Sequence, residues 1–260
     1  MNTIFDRLIT NIVLLCCILK KIMGTPLTPY NTSESKKQQV ATMFNNVAGT
    51  YDFLNHFFSV GIDKLWRRKL VKLIGKTNPK MILDVATGTA DLAIAETKLN
   101  PTKIIGVDIS EKMLDVGREK IKSYPSIELQ LGDSENLQFT ENTFDAVSVS
   151  FGVRNFENVP AGLSEMRRVL KPSGKVFILE FSKPGNWLVQ KLYYFYFCNV
   201  LPFVGKLVSK DARAYTYLPE SVRMFPDGQK FVALMQEAGY KNIECKPLTF
   251  GISTIYIGEK

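Results

Sequence analysis

I-L-D-V-A-T-G-T-A-D, residues 82–91, decides how the rest of this chain is read. Its first half is a short apolar run of the kind that forms a strand buried on both faces, and T-G-T is a tight turn into the helix that follows. The next apolar run, I-I-G-V-D-I-S at 104–110, carries Asp108, 20 residues after Gly88. Strand, glycine turn, helix, strand and terminal acid is the layout in which an α/β sheet holds a nucleoside beyond the carboxyl ends of its strands.

Outward from that stretch the alternation continues. Apolar runs at 81–86, 103–108, 127–131, 144–150 and 176–181 predict strands, with helices near 91–98, 111–122 and 160–170 between them. Ser110 stands where a cap belongs and Pro160 in a first helical turn. Repeated βα units predict an open, doubly wound, Rossmann-like sheet. A helix near 228–237 then precedes close runs at 241–247 and 250–258, which read as a hairpin, so the α/β sheet is seven-stranded with its last strand antiparallel. Ahead of the sheet, Val40, Met43, Phe44 and Val47 share one helical face, and Trp66, Leu70, Leu73 and Ile74 another. Residues 36–260 are expected to form one domain, with a helical cap at 36–75 and a helical lid insertion at about 186–222.

The run at 12–19 is only eight residues long, whereas spanning a bilayer takes about 20. A secretory reading has against it Asp6 and Arg7 before the run, Lys20 and Lys21 after it, and no small-residue cleavage site. Residues 1–35 are therefore expected to be a poorly ordered extension, with a natural start near Met23. Cys16, Cys17, Cys198 and Cys245 make no C-x-x-C pair and His56 is the single histidine, so no metal site or disulfide framework is predicted and a reducing cytoplasm fits. The formal charge of +8 implies an electropositive surface suited to nucleic acid, to anionic lipid or to nothing specific. Basic clusters at 64–72 and 167–171 come without a zinc finger, helix-turn-helix or RNA-binding signature, which favours an anionic membrane surface over nucleic acid.

Asp108 is placed to accept hydrogen bonds from both ribose hydroxyls of an adenosine. A dinucleotide would need G-x-G-x-x-G after the first strand, whereas A-T-G-T-A-D puts an acid where a phosphate would be repelled. S-adenosylmethionine has no phosphate and carries sulfonium and ammonium charges, so Gly88 and Asp84 suit it. Asp133 and Ser134, in L-G-D-S at 131–134, are positioned for the adenine edge. The fourth run ends in S-F-G-V-R-N at 150–155, without the Asn-Pro-Pro-Tyr of base methylases or the acids of a magnesium-assisted catechol reaction.

Three stretches resemble the UbiE/MenG quinone C-methyltransferases of the class I S-adenosylmethionine-dependent methyltransferase fold: Y-D-F-L-N-H-F-F-S-V-G-I-D-K-L-W-R at 51–67, F-D-A-V-S-V-S-F-G-V-R-N at 144–155, and R-V-L-K-P-S-G-K-V-F-I-L-E-F-S-K-P at 168–184. The resemblance covers roughly residues 38–260. It implies cofactor contacts at Thr89, Asp108, Asp133, Ser134 and Ser150, with Tyr51 closing over the cofactor. It also implies a catalytic pair, Arg154 positioning a water or stabilising a phenolate and Asn155 orienting the ring. His56 is read as structural rather than as the base. The activity implied is C-methylation of demethylmenaquinol to menaquinol, the last step of menaquinone biosynthesis. The 2-methoxy-6-polyprenyl-1,4-benzoquinol of ubiquinone biosynthesis stays open as the alternative substrate, and a nicotinamide-dependent oxidoreductase or a non-catalytic scaffold as competing classes. The aromatic stretch at 186–208 reads as a greasy lid for a polyprenyl tail. A cytoplasmic enzyme bound peripherally to the inner face of the cell membrane follows, and a homodimer is left open.

Overall fold

The computed structural model describes residues 27–30, 32–52, 59, 61–196 and 212–260. The apolar run at 12–19, His56, Cys16, Cys17, Cys198 and the lid segment 197–211 lie outside them.

Strands β1 (Met81–Val85), β2 (Lys103–Asp108), β3 (Ile127–Leu131), β4 (Phe144–Ser150), β5 (Leu170–Phe181), β6 (Lys241–Leu248) and β7 (Ser253–Glu259) form a seven-stranded sheet in the order β3-β2-β1-β4-β5-β7-β6. β1 to β5 run parallel, and β7 lies reversed between β5 and β6. Successive residues of a strand point to opposite faces, so continuous apolar runs feed two cores at once. Leu83, Val85, Val147 and Val149 enter one core with Leu163 and Met166, while Ile82, Ile104, Ala146 and Phe177 enter the other with Leu70 and Ile74.

The α-helices among the described residues are α1 (Lys36–Val47), α2 (Ile62–Ile74), α3 (Asp91–Glu96), α4 (Glu111–Lys120), α5 (Val159–Val169), α6 (Trp187–Phe195), α7 (Ala212–Met224) and α8 (Gln229–Glu237). Ser110 caps α4 by accepting from the Met113 amide, and Ser35 and Gln38 form a reciprocal capping box at the start of α1. Buried Gln39 holds the segment ahead of α1, accepting from the Tyr30 amide at 2.9 Å and donating to the Glu34 carbonyl at 2.8 Å.

Two strands differ from expectation. β7 begins at Ser253 rather than 250, because Thr249, Phe250 and Gly251 hold positive φ in a tight turn ahead of it. β5 begins at Leu170, six residues before the predicted 176, because Leu170 pairs with Phe144 and the register then shifts before Lys175 meets Ala146. Pro172 has no amide to donate and Ser173 holds φ 63°, so K-P-S-G bulges out of the ladder and the strand resumes beyond it.

The strand order reverses between β1 and β4, the place where such sheets open a crevice. Two residues leaving those strands, Ala86 (φ 54°) and Phe151 (φ 59°), adopt the left-handed conformation that L side chains rarely take. Between them Gly152 is sterically required, since a Cβ there would come within 2.6 Å of the Ala86 Cβ.

Candidate active site

A cleft of about 660 Å³, counted to its open mouth, lies beyond the carboxyl ends of β1 to β4. Tyr51, Gly88, Asp108, Asp133, Ser134, Ser150 and Asn155 all line it, so seven residues chosen from far-apart stretches of sequence converge on one cavity.

Asp108 closes β2 and organises two turns. Its Oδ2 accepts the Gly88 amide at 2.8 Å and its Oδ1 the Ser110 amide at 2.8 Å, which leaves further lone pairs toward the cleft. Burial raises its carboxyl pKa, and the amide bonds from Ser110 and Gly88 act in the opposite direction. Gly88 takes φ 56° so that its amide can face that carboxylate. At the end of β4 the Ser150 Oγ and, on the next turn, the Asn155 Oδ1 are buried without a hydrogen-bond partner. Buried polar atoms are almost always paired, so two orphans in the wall of one cavity mark where a ligand's polar groups belong.

Helix α1 roofs this cleft, contributing Lys37, Val40 and Phe44 to its lining. Three loops at the strand ends hold the helix. Lys37 Nζ lies 2.5 Å from Asp133 Oδ2 after β3, and Asn45 Oδ1 accepts the Ser110 hydroxyl at 2.8 Å after β2. Lys36 Nζ donates to the carbonyls of Arg154 at 3.2 Å and Phe156 at 2.6 Å after β4, and burial lowers its pKa to about 8. Beyond the helix, Tyr51 packs edge-on against Phe44 at 5.9 Å.

Three of the expected residues do not line the cleft. Thr89 is buried and donates to Asp52 Oδ1 at 2.5 Å, while Lys120 binds Asp52 at 2.8 Å and Asp91 at 2.5 Å, so this cluster fixes the neighbour of Tyr51. Asp84 lies beneath the glycine turn, accepting from the Thr87 hydroxyl at 2.6 Å. Its full burial, with the Asp108 charge nearby, raises its pKa to about 7. Arg154 turns away from the cleft to pair with buried Glu180 at 2.9 Å, donates to the Phe151 carbonyl, and stands 5.4 Å over the Phe181 ring.

Several residues escaped the sequence reading. Lys36, Lys37, Asn45 and Phe44 reach the site only through the docking of α1, for which no local pattern exists. Glu180 did carry a signal, as a lone acid within the apolar run V-F-I-L-E-F; a charge there is rarely buried without a partner.

The donor set fits S-adenosylmethionine and not a dinucleotide. Asp108, Asp133, Glu135 and Glu157 line the cleft against one cation, Lys37, among the described residues. That balance attracts a sulfonium nucleoside and repels a pyrophosphate. The fold is that of the S-adenosylmethionine-dependent methyltransferases. One from Thermotoga maritima superposes with TM-score 0.59 at 17% identity over 84% of this chain and 99% of that one. A phosphoethanolamine N-methyltransferase from Haemonchus contortus, solved with S-adenosyl-L-methionine, superposes with TM-score 0.52 at 17% identity over 70% of this chain and 48% of that one. Within that class, the chain belongs to the ubiE/COQ5 methyltransferase family, whose model matches residues 32–260. It is 44% identical to a demethylmenaquinone methyltransferase of Bacteroides fragilis over 90% of this chain and 97% of the relative. It is also 44% identical to a ubiquinone/menaquinone biosynthesis C-methyltransferase UbiE of Geobacter sulfurreducens, over 90% and 93% of the two chains. The chain is thus an enzyme, a methyltransferase, and the acid-rich lining of its cleft fits S-adenosylmethionine as the methyl donor.

Proposed function

We propose that the acceptor is the ring carbon of a polyprenylated quinol, and that the reaction is C-methylation of demethylmenaquinol to menaquinol in menaquinone biosynthesis. The observation that carries the reading is the pair of orphaned polar atoms, Ser150 Oγ and Asn155 Oδ1, in the same cleft as the Asp108 carboxylate. The name of the Bacteroides relative supports the naphthoquinol, and that of the Geobacter relative keeps the methoxy-benzoquinol as the second reading.

When bound, the donor supplies an electrophilic methyl group on a positive sulfur. Asp108 takes the ribose hydroxyls, Asp133 and Ser134 the adenine edge, Gly88 and Ser150 line the nucleoside's path, and Tyr51 closes the wall. Thr89 and Asp84 hold the turn from below. The quinol becomes nucleophilic when the hydroxyl ortho to the target carbon gives up its proton, a step that positioned acid–base groups accelerate by roughly 10²- to 10⁴-fold. Asn155 orients the ring from the cleft wall, and Arg154, paired with Glu180 behind that wall, keeps one unpartnered donor, its Nε–H, for the phenolate. The ring carbon then forms its bond to the methyl carbon as the carbon–sulfur bond breaks. Loss of the proton on that ring carbon restores aromaticity.

A substrate with a prenyl tail resides in a membrane, since each buried CH₂ contributes about 0.8 kcal/mol. No helix among the described residues is long and apolar enough to cross a bilayer. Peripheral attachment to the inner face of the cell membrane fits the exposure of Trp187, Leu188, Leu192 and Phe195 on α6. The exposed Lys64, Arg68 and Lys72, at four-residue spacing on α2, suit anionic headgroups. Mass spectrometry of quinones from cells lacking the protein tests the reading. Demethylmenaquinone should accumulate; a normal quinone profile would overturn it.

A further inference from the structure

Behind the cleft wall, two hydrogen-bond donors are buried with nothing to donate to. One is the Tyr217 hydroxyl on α7, in a residue 3% exposed. The other is the Nε of Arg154, whose side chain is 7% exposed. They lie on neighbouring elements: α7 packs on the 153–155 turn, and both Arg154 and Glu180 act electrostatically on the Tyr217 phenol. Glu180 accepts from neither of them: its carboxylate takes Arg154 Nη1, the Arg154 amide and the Phe181 amide instead. The same short turn joins this region to the cleft wall. Asn155, next to Arg154, lines the cleft, as does Phe151, whose ring packs on Phe181 at 4.5 Å.

A buried donor without an acceptor loses its hydration and gains nothing, so two of them on elements packed against each other suit an oxygen from outside the chain. We propose that the Tyr217 hydroxyl and the Arg154 Nε–H together hold one oxygen of the aromatic substrate, making Tyr217 a substrate-contacting donor for the reaction. This rests on the quinol reading above. A neutral phenol and a guanidinium form a donor pair that an ionised ring oxygen satisfies better than a hydroxyl does, so the pair favours the nucleophilic form of the ring. Burial raises the Tyr217 phenol above its ordinary value, which keeps it protonated and donating throughout the working pH range. Tyr217 itself transfers no proton in this scheme; the proton leaves the substrate for solvent.

The test compares wild type with Tyr217→Phe, using a short-tailed demethylmenaquinol in detergent. Turnover should fall on the order of 10²-fold, the usual cost of one missing oxyanion donor. The acid limb of the rate against pH should move up by about one unit for each tenfold loss of phenolate stabilisation. Affinity for S-adenosylhomocysteine and the melting temperature should hold, because the variant removes a group with no partner in the fold. Turnover and pH profile within twofold of wild type would overturn the proposal. A second protein carrying 3-fluorotyrosine at position 217 keeps the question decidable if the phenylalanine variant does not fold. Its fluorine resonance should shift on adding a 1,4-naphthoquinol and not on adding S-adenosylhomocysteine alone, and an unmoved resonance would overturn the proposal. Wild type that methylates no quinol, with a resonance that still shifts, would sink the quinol reaction and leave the phenol site standing.

Discussion

Lys37 and Asp133 join across the cleft mouth, Nζ to Oδ2 at 2.5 Å, although one opens the helix ahead of the sheet and the other follows β3. Their side chains are 29% and 28% exposed, so the pair contributes at most about 1 kcal/mol to folding. Its larger effect is on the ligand, because Lys37 places a positive charge where a cationic donor must enter and occupies an oxygen suited to the adenine amine. Lys37→Met should leave the melting temperature within about 2 °C and tighten S-adenosylmethionine binding several-fold at low salt, with less gain at high salt. Calorimetry at two ionic strengths checks this; weaker binding would show that the lysine belongs to the donor's own site.

Asp108→Asn should be more damaging than the loss of one ribose contact. The carboxylate accepts amides on both oxygens, and an asparagine offers only one accepting atom, so the Gly88 or the Ser110 amide is left facing an NH₂ group. Donor affinity should fall by roughly 10- to 100-fold, at about 1.5–3 kcal/mol for hydrogen bonds to a charged group. Titration with donor and a thermal melt measure the two losses separately, and undiminished affinity would remove Asp108 from the nucleoside site.

The Arg154–Glu180 pair can be dissected because both side chains are buried. Glu180→Ala strands a guanidinium and should cost about 3–5 kcal/mol, a fall of roughly 10 °C or more in melting temperature. The double variant Arg154→Met, Glu180→Leu should recover most of that stability and none of the turnover. Recovered turnover would mean that the arginine serves only the fold.

Asp84 and Glu96 predict a pH dependence. Glu96 is fully buried with neither carboxyl oxygen paired, and burial, reinforced by the Asp84 charge, raises its pKa well above normal. Burial likewise raises Asp84, to about 7. An acid whose pKa is higher folded than unfolded binds more protons in the native state, so stability is fully present below the unfolded pKa and declines as pH rises toward the folded one. Glu96→Leu should therefore raise the melting temperature at pH 8 by about 2–4 °C or more, with the gain over wild type shrinking as pH falls toward 4. A gain that does not vary with pH would deny that ionisation is the cause.

Much of the sheet was legible in the sequence because its strands are short, apolar and doubly covered, so runs and strands coincide at β2, β3 and β4. β5 was truncated in the reading because Pro172 and Ser173 look like a loop, while a bulge lets the ladder resume across them. That Asp108 and Gly88 line the cleft was legible because their places follow from position, a strand end and the turn beside it. Thr89 shares that turn yet faces Asp52, and a threonine's direction within a turn has no sequence pattern of its own. Arg154 shows the converse. Its place after β4 was readable, whereas its partner Glu180 lies 26 residues away on β5 and meets it only once the strands pair.

Because Lys36, Lys37 and Asn45 bind one helix to three separate strand-end loops, no single loop can swing aside to let a nucleoside through while the other two stay fastened. Exchange of spent for fresh donor then behaves as an all-or-none release of the roof rather than as rim breathing, and amides along α1 should lose hydrogen-exchange protection together, at one shared rate.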